Sequence, residues 1–318
     1  MALFGRRWRM GSGQPGPEMH ELGIVDGPGD RPILAPALGA VGGMAIWMGE
    51  FDEGERWLYR AWEVGSGHVE PATAVLLHLA TGMLHAGRGR QRSALEAFTA
   101  AARAQSLLTG VHALAPRITG WLATTRARLG MAVEARATLA GFTPEPGRRG
   151  AISNARAWIC LLDGNPDMAV EALRHVRDAT PPVEPFTLVE AHLLAGTAYL
   201  RLGDRDAAAA AAEAALAAAE PDRLVFPFAM TEAAEVLGVL RYHQTAHGAL
   251  LTDIVDQLRG ASPPSPDPEP LPAPCPPGHL LKRRCRIPGP KTPGFPVCAR
   301  RRAEGRSRPP PGGQGKQS

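Results

Sequence analysis

Lysine is nearly missing from this chain. Its 318 residues hold three, Lys282, Lys291 and Lys316, and residues 1–261 use arginine alone as their permanent cation. That body has no lysine for a phosphate-binding P-loop or a Schiff base. Cysteine is almost as scarce: Cys160 stands alone in the body, and Cys275, Cys285 and Cys298 follow in the tail. One body cysteine excludes an internal disulfide there, and the tail spacings fit no zinc pattern with paired C-x-x-C. No run of eighteen apolar residues occurs, so no transmembrane helix is expected. The start, MALFGRRWRMGSGQPG, carries positive charge with no apolar stretch behind it and is no secretory signal; a cytoplasmic location follows. Neither a G-x-S-x-G elbow nor a Cys–His arrangement stands out, so no enzyme activity is expected. Aromatics are only 5%, which with abundant alanine favours helix over strand.

What is present divides the chain in three. Residues 1–30 are rich in glycine and proline without helical or strand periodicity and read as a disordered leader. Their GSGQPG fits G-x-G-x-x-G at Gly11, Gly13 and Gly16, but a dinucleotide site needs a strand before and a helix after, and neither is apparent. Residues 262–318 hold eleven Lys+Arg against three Asp+Glu, a net of +8, so the whole-chain +4 leaves −4 for residues 1–261. Sixteen of the 31 prolines also fall in this tail, which reads as disordered. Its KRRCR (Lys282–Arg286) and ARRR (Ala299–Arg302) support at most weak, salt-sensitive, non-specific nucleic-acid contact, since only Phe295 offers a ring for stacking.

Between them, residues 31–261 carry a repeat. The stretch LAGTAYLRLGDRDAAAAAAEAALAAAEP, Leu194–Pro221, places Gly196, Tyr199, Gly203, Ala208 and Ala215 at the offsets of a tetratricopeptide helix pair. Gly203 ends the first helix with φ > 0, and Asp204 and Asp206 favour the start of the second. Gly196 and Ala208 are expected at the crossing, where small side chains admit the partner backbone. The same frame recurs around Gly49, Gly89, Gly130 and Gly164, giving turn glycines spaced by 40, 41, 34 and 39 residues. Asn165 is expected to cap a helix that opens at Pro166. A sixth pair without the signature is expected over Phe228–His243 and Ala249–Leu258. The expected fold is all-α, a tetratricopeptide-like helical-repeat solenoid of about twelve helices in six antiparallel pairs. The run of six alanines, Ala207–Ala212, is then the second helix of a repeat and not filler.

These long, irregular, Arg- and Ala-rich repeats resemble the MalT-like tetratricopeptide region of large LuxR-family transcriptional regulators. LVFPFAMTEAAEVLGVLRYHQTAHGALLTDIVDQL is similar to the last helices of that region, and SPPSPDPEPLPAP, Ser262–Pro274, to the linker after it. The resemblance covers roughly residues 30–274. It implies effector sensing or protein contact by the repeats in a transcriptional regulator. The ATP-binding module that precedes the repeats in the family and the helix-turn-helix that follows them have no counterpart here. The tail then reads as a frameshifted remnant and the chain as a truncated or orphan form, without specific DNA binding. The alternative is a free-standing tetratricopeptide scaffold that docks a partner protein or peptide.

Ligands of repeat arrays bind the concave face, lined mainly by the first helix of each pair. A protein or small-molecule effector is expected there, with Arg117, Asn154, Trp158, Glu190, Thr197 and Arg201 as groove residues. Trp47, Met83 and Thr124 share the same frame positions. Arg117 and Arg201 suit bidentate contact with an anion, and Trp158 supplies stacking area. His243 and His247 form an H-x-x-x-H spacing in what reads as a helix-ending turn, with no following Glu. His78, His85, His112 and His192 are scattered over separate repeats. No metal site, cofactor, catalytic residue or membrane contact is expected, and Cys160 reads as a small buried hydrophobe.

Overall fold

The computed structural model describes residues 32–260 except 66–68, 111, 143–148, 179–182, 232 and 241–244. All of them belong to one unit, Met1–Glu269. The leader, the tail with its basic clusters, and His243 lie outside the described residues.

Local sequence rules set the repeating element. A helix rich in small apolar residues runs until a glycine, the chain turns over in three residues, and a second helix folds back on the first. Five hairpins arise this way: α1 (Ala35–Trp47) with α2 (Phe51–Val64), α3 (Pro71–Gly87) with α4 (Gln91–Ser106), α5 (Ala115–Arg128) with α6 (Ala132–Ala140), α7 (Gly150–Leu162) with α8 (Pro166–Arg177), and α9 (Pro185–Arg201) with α10 (Arg205–Ala219). The turn in each is the same. Gly203 sits at φ 80°, its N–H donates to the Leu200 carbonyl at 3.1 Å, and the Asp204 N–H reaches back to Tyr199 at 2.9 Å. That is the Schellman arrangement, in which a left-handed residue lets two orphan carbonyls find donors. Gly49, Gly89, Gly130 and Gly164 repeat it.

The second helix of the fifth hairpin starts as expected, with the Asp204 carboxylate accepting from the Ala207 N–H at 2.9 Å. Asn165 departs from expectation. It occupies the cap position before Pro166, yet its side chain accepts no capping hydrogen bond. With proline at the first helical position, one of the amides that need an acceptor is already gone.

Neighbouring hairpins share faces. The contacts α1–α3, α2–α3, α4–α5, α5–α7, α7–α9 and α8–α9 carry apolar clusters from one pair to the next. In α10 the alanines Ala208, Ala211, Ala212, Ala215 and Ala219 are all buried, so the unbroken alanine run is a packing surface. Gly196 serves a different neighbour from the one expected. A Cβ there would stand 2.6 Å from Val236 Cγ1 but 3.7 Å from the Ala208 carbonyl oxygen, so its smallness admits the segment after α10 more than α10 itself.

The sixth pair is where the structure departs most from the sequence reading. Its first member is two short pieces, α11 (Phe226–Met230) and α12 (Ala234–Leu237), before α13 (Gly248–Gly260). Thirteen α-helices and no strand therefore make up the described residues. The break carries its own hydrogen bonds. The Met230 carbonyl accepts from Arg128 Nη1 of α5 at 2.7 Å, and Ala233 N–H turns back to Phe228 O at 3.2 Å, so the helical ladder is interrupted between the two pieces. No described helix is long and apolar enough to cross a membrane.

Candidate functional site

The first helices α1, α3 and α9 all touch α11, whose Phe226 and Met230 enter the core cluster of the first three hairpins. The segment leading into α11 is pinned by a hydrogen bond from Val225 N–H to the last carbonyl of α1, Trp47 O, at 2.8 Å. The face expected to be an open groove is therefore covered by the chain's own residues 224–231. Large side chains fill it: Trp47 stacks on Phe186 with centroids 4.6 Å apart, meets Phe226 edge-on at 5.2 Å, and lies 5.8 Å from Trp121. Trp121 continues the cluster to Phe98 at 5.9 Å and Phe226 at 5.7 Å.

Three of the six groove residues anticipated from sequence meet against these rings. Asn154 of α7 donates through Nδ2 to Glu190 Oε2 of α9 at 2.8 Å and to the Thr187 carbonyl at 2.9 Å. Its Oδ1 is buried with no partner among the described residues. Glu190 is 7% exposed, and burial pushes its carboxyl up to about 7 against the opposing pull of Asn154, Arg117 and Trp121. Arg117 of α5 lays its guanidinium 3.8 Å over the Phe186 ring, with Trp121 and Trp47 at 5.8 and 5.9 Å. Burial brings its pKa down to about 10, and its one acidic neighbour within 4 Å among the described residues is Glu184 at 3.6 Å. A cavity of about 10 Å³, roughly the space of one water, lies between Glu190, Trp47, Trp121 and Phe186 on one side and Phe226, Pro227 and Met230 of α11 on the other.

A close helix crossing positions this cluster. Gly120 of α5 sits so near α7 that a Cβ would stand 2.7 Å from the Ala151 carbonyl oxygen, and Arg117 and Asn154 lie about one turn away on each side. The approach lets two polar groups from different helices share one buried space.

The other three anticipated residues are elsewhere. Trp158 packs between the hairpins of α5–α6 and α7–α8, under the Arg128 guanidinium at 5.3 Å, and its Nε1 is buried without a partner among the described residues. Thr197 returns its hydroxyl to the Leu193 carbonyl one turn back. Arg201 donates to the Leu161 carbonyl at the end of α7, as a second donor beside the Gly164 N–H. Met83 and Thr124 are buried in the helix packing.

The histidines are dispersed. His78 lies tilted against Trp62 at 4.8 Å with its pKa lowered by burial, and His112 Nδ1 accepts from Leu114 N–H at 3.2 Å. Burial first, then Arg177, lowers His192 to about 4. His247 lies 2.9 Å from Glu220. Cys160 is half-buried and free, and its thiol is pushed up chiefly by burial. Sequence reasoning missed Phe186 and the α11 residues as parts of the cluster. Phe186 sits beside Pro185 at a helix start, and no periodic signal links it to Trp47.

No protein-family model matches the chain, and no curated protein matches it either.

Proposed function

We propose that residues 32–260 form a non-enzymatic helical-repeat binding module whose ligand site is the Arg117–Asn154–Glu190 cluster. The observation that carries this is the burial of an arginine, an asparagine and a glutamate from three successive first helices in one aromatic-walled space. Buried charges cost stability unless well paired, and apolar residues of the same volume often do as well or better. Here the pairing is incomplete: among the described residues Asn154 Oδ1 lacks a donor, and Arg117 meets Glu184 only at 3.6 Å. A polar set kept under those terms marks a functional site.

The similarity of the repeats to the MalT-like region of LuxR-type regulators gives the module its role in this reading. An effector binds the inner face and changes how α11 lies against it. A thermal-shift screen of small metabolites against the full chain tests the proposal. The expected result is a compound that raises Tm in the wild type and loses its effect in Asn154→Ala and Glu190→Gln. Hits that ignore both substitutions would sink it.

One observation supports a second reading, a scaffold for a partner peptide. Residues 224–231 already lie across α1, α3 and α9 as a short helical segment, so a peptide of like character has a shaped seat once that segment leaves. A partner that co-purifies with the chain, and is released by a synthetic 224–231 peptide, supports it over effector sensing.

A further inference from the structure

Arg117 is a peculiar occupant of its place. Its guanidinium has an aromatic face at 3.8 Å and two more rings within 6 Å, an arrangement that attracts any cation. A guanidinium, however, brings five N–H groups that the ring walls cannot accept, so they turn to the solvent that reaches this 16%-exposed side chain. Among the described residues no side chain or carbonyl accepts a hydrogen bond from Arg117. The nearest carboxylate oxygen, on Glu184, stands at 3.6 Å, and Glu184 is 61% exposed at the rim. The second carboxyl, Glu190, lies deeper and is already engaged by Asn154 at 2.8 Å. The space therefore has what a cation needs electrostatically and little of what an N–H donor needs.

We propose that the ring cluster of Trp47, Trp121 and Phe186, with Glu190 as counter-charge, is a binding site for a small organic cation of the quaternary ammonium class, and that Arg117 fills it as an internal stand-in. This rests on the reading of the cluster as the ligand site and names the ligand's chemistry. A tetraalkylammonium has no N–H that must be hydrated, so it gains the ring attraction with every face of the cation free to meet a ring. The displaced guanidinium has a place to go, since Glu184 at the surface is its neighbour already. The ligand's positive charge favours the ionised form of Glu190, so binding tightens as pH rises through about 7, where that carboxyl loses its proton. Arg117 is the charged group that acts on this carboxyl, and with a pKa of about 10 it keeps its charge over that range; Glu184 lies beyond it, against Arg117. Trp47, Trp121 and the α11 residues at the cavity carry none.

The test is chemical rescue in the full chain. Arg117→Ala empties the seat and is expected to lower Tm. Tetramethylammonium chloride should then raise Tm saturably, beyond sodium chloride of equal ionic strength and beyond 3,3-dimethyl-1-butanol, a neutral molecule of similar shape. The rise should be larger at pH 8 than at pH 6 and vanish when Trp47→Leu is added. A rise no larger than that with sodium chloride overturns the proposal, and so does an equal rise with the alcohol, which marks only an apolar hole. If Arg117→Ala does not fold, the wild type is titrated with tetramethylammonium at pH 8 by calorimetry. Saturable binding that weakens at least threefold at pH 6 supports the site, and no binding overturns it. If instead a neutral or anionic compound stabilises the wild type and loses its effect in Asn154→Ala and Glu190→Gln, the effector reading stands while the cation assignment falls.

Discussion

Glu190 ties the stability of the chain to pH. Its carboxyl titrates near 7 in the folded chain against 4.5 when free, so the folded state binds the proton more tightly. The stability linked to it is fully present below pH 4.5 and is lost as pH rises to 7. Two and a half units correspond to about 3 kcal/mol, an upper figure for a single buried group. His192 works in the opposite sense. Its folded value of about 4 lies below 6.5, so its contribution is present above pH 6.5 and fades as pH falls. The two slopes overlap and oppose, and the wild type should show a flat stability profile from pH 4.5 to 6.5. Glu190→Gln should tilt that profile, with urea midpoints rising with pH across the same range. A glycine pair checks backbone reasoning on the same scale. Gly203→Ala meets no neighbour within 4 Å and should cost only the left-handed strain, about 1–2 kcal/mol. Gly120→Ala must also move α5 away from the Ala151 carbonyl. It should cost about 1–3 kcal/mol through overpacking and weaken ligand binding besides, which Gly203→Ala should not do.

At the scale of the element, the alanine run of α10 offers a direct comparison within one helix. Ala212 is fully buried and Ala210 is exposed. Ala212→Leu should lower stability by about 1–3 kcal/mol, while Ala210→Leu should fall within about 0.5 kcal/mol of the wild type in chemical denaturation. This is also the level at which the sequence was most readable. Five turn glycines forecast five positive-φ turns, because the left-handed corner of a hairpin admits few other residues and its period survives in the sequence. Asp204 was legible as a cap for the same local reason. The fracture of the sixth pair was not. At the break Arg128, about a hundred positions upstream, reaches the Met230 carbonyl, and no local propensity records such a contact. The site was half legible. Arg117 and Glu190 stand at the same distance before their turn glycines, Gly130 and Gly203, and Asn154 stands about one turn closer to Gly164, so one frame found all three on successive first helices. The same frame also picked Thr197 and Arg201, which face helix ends and their own backbone.

For the described unit as a whole, the decisive feature is that the segment after the fifth hairpin returns to the first. Val225 N–H bonds to Trp47 O, and Val225 Cγ1 packs where a Cβ on Gly49 would stand, 2.9 Å away. Linear repeat arrays share contacts only between neighbours and fray from their ends. Here the terminal pieces are neighbours of each other. Native-state hydrogen exchange should therefore give amides of α1 and of α9–α10 the same opening free energy, with no graded loss toward the first hairpin. Val225→Pro, which deletes the donor to Trp47, should separate the two sets by about 1 kcal/mol or more.

That return contact also has a bearing on synthesis. The opening hairpin emerges from the ribosome while the residues that finish it, from Val225 to Met230, are still unmade. Trp47 and Trp121 must wait without the Phe186 and Phe226 rings that complete their cluster until most of the body is translated. During that interval a nascent chain of this kind is a natural client for whatever shields hydrophobic surface at the exit tunnel.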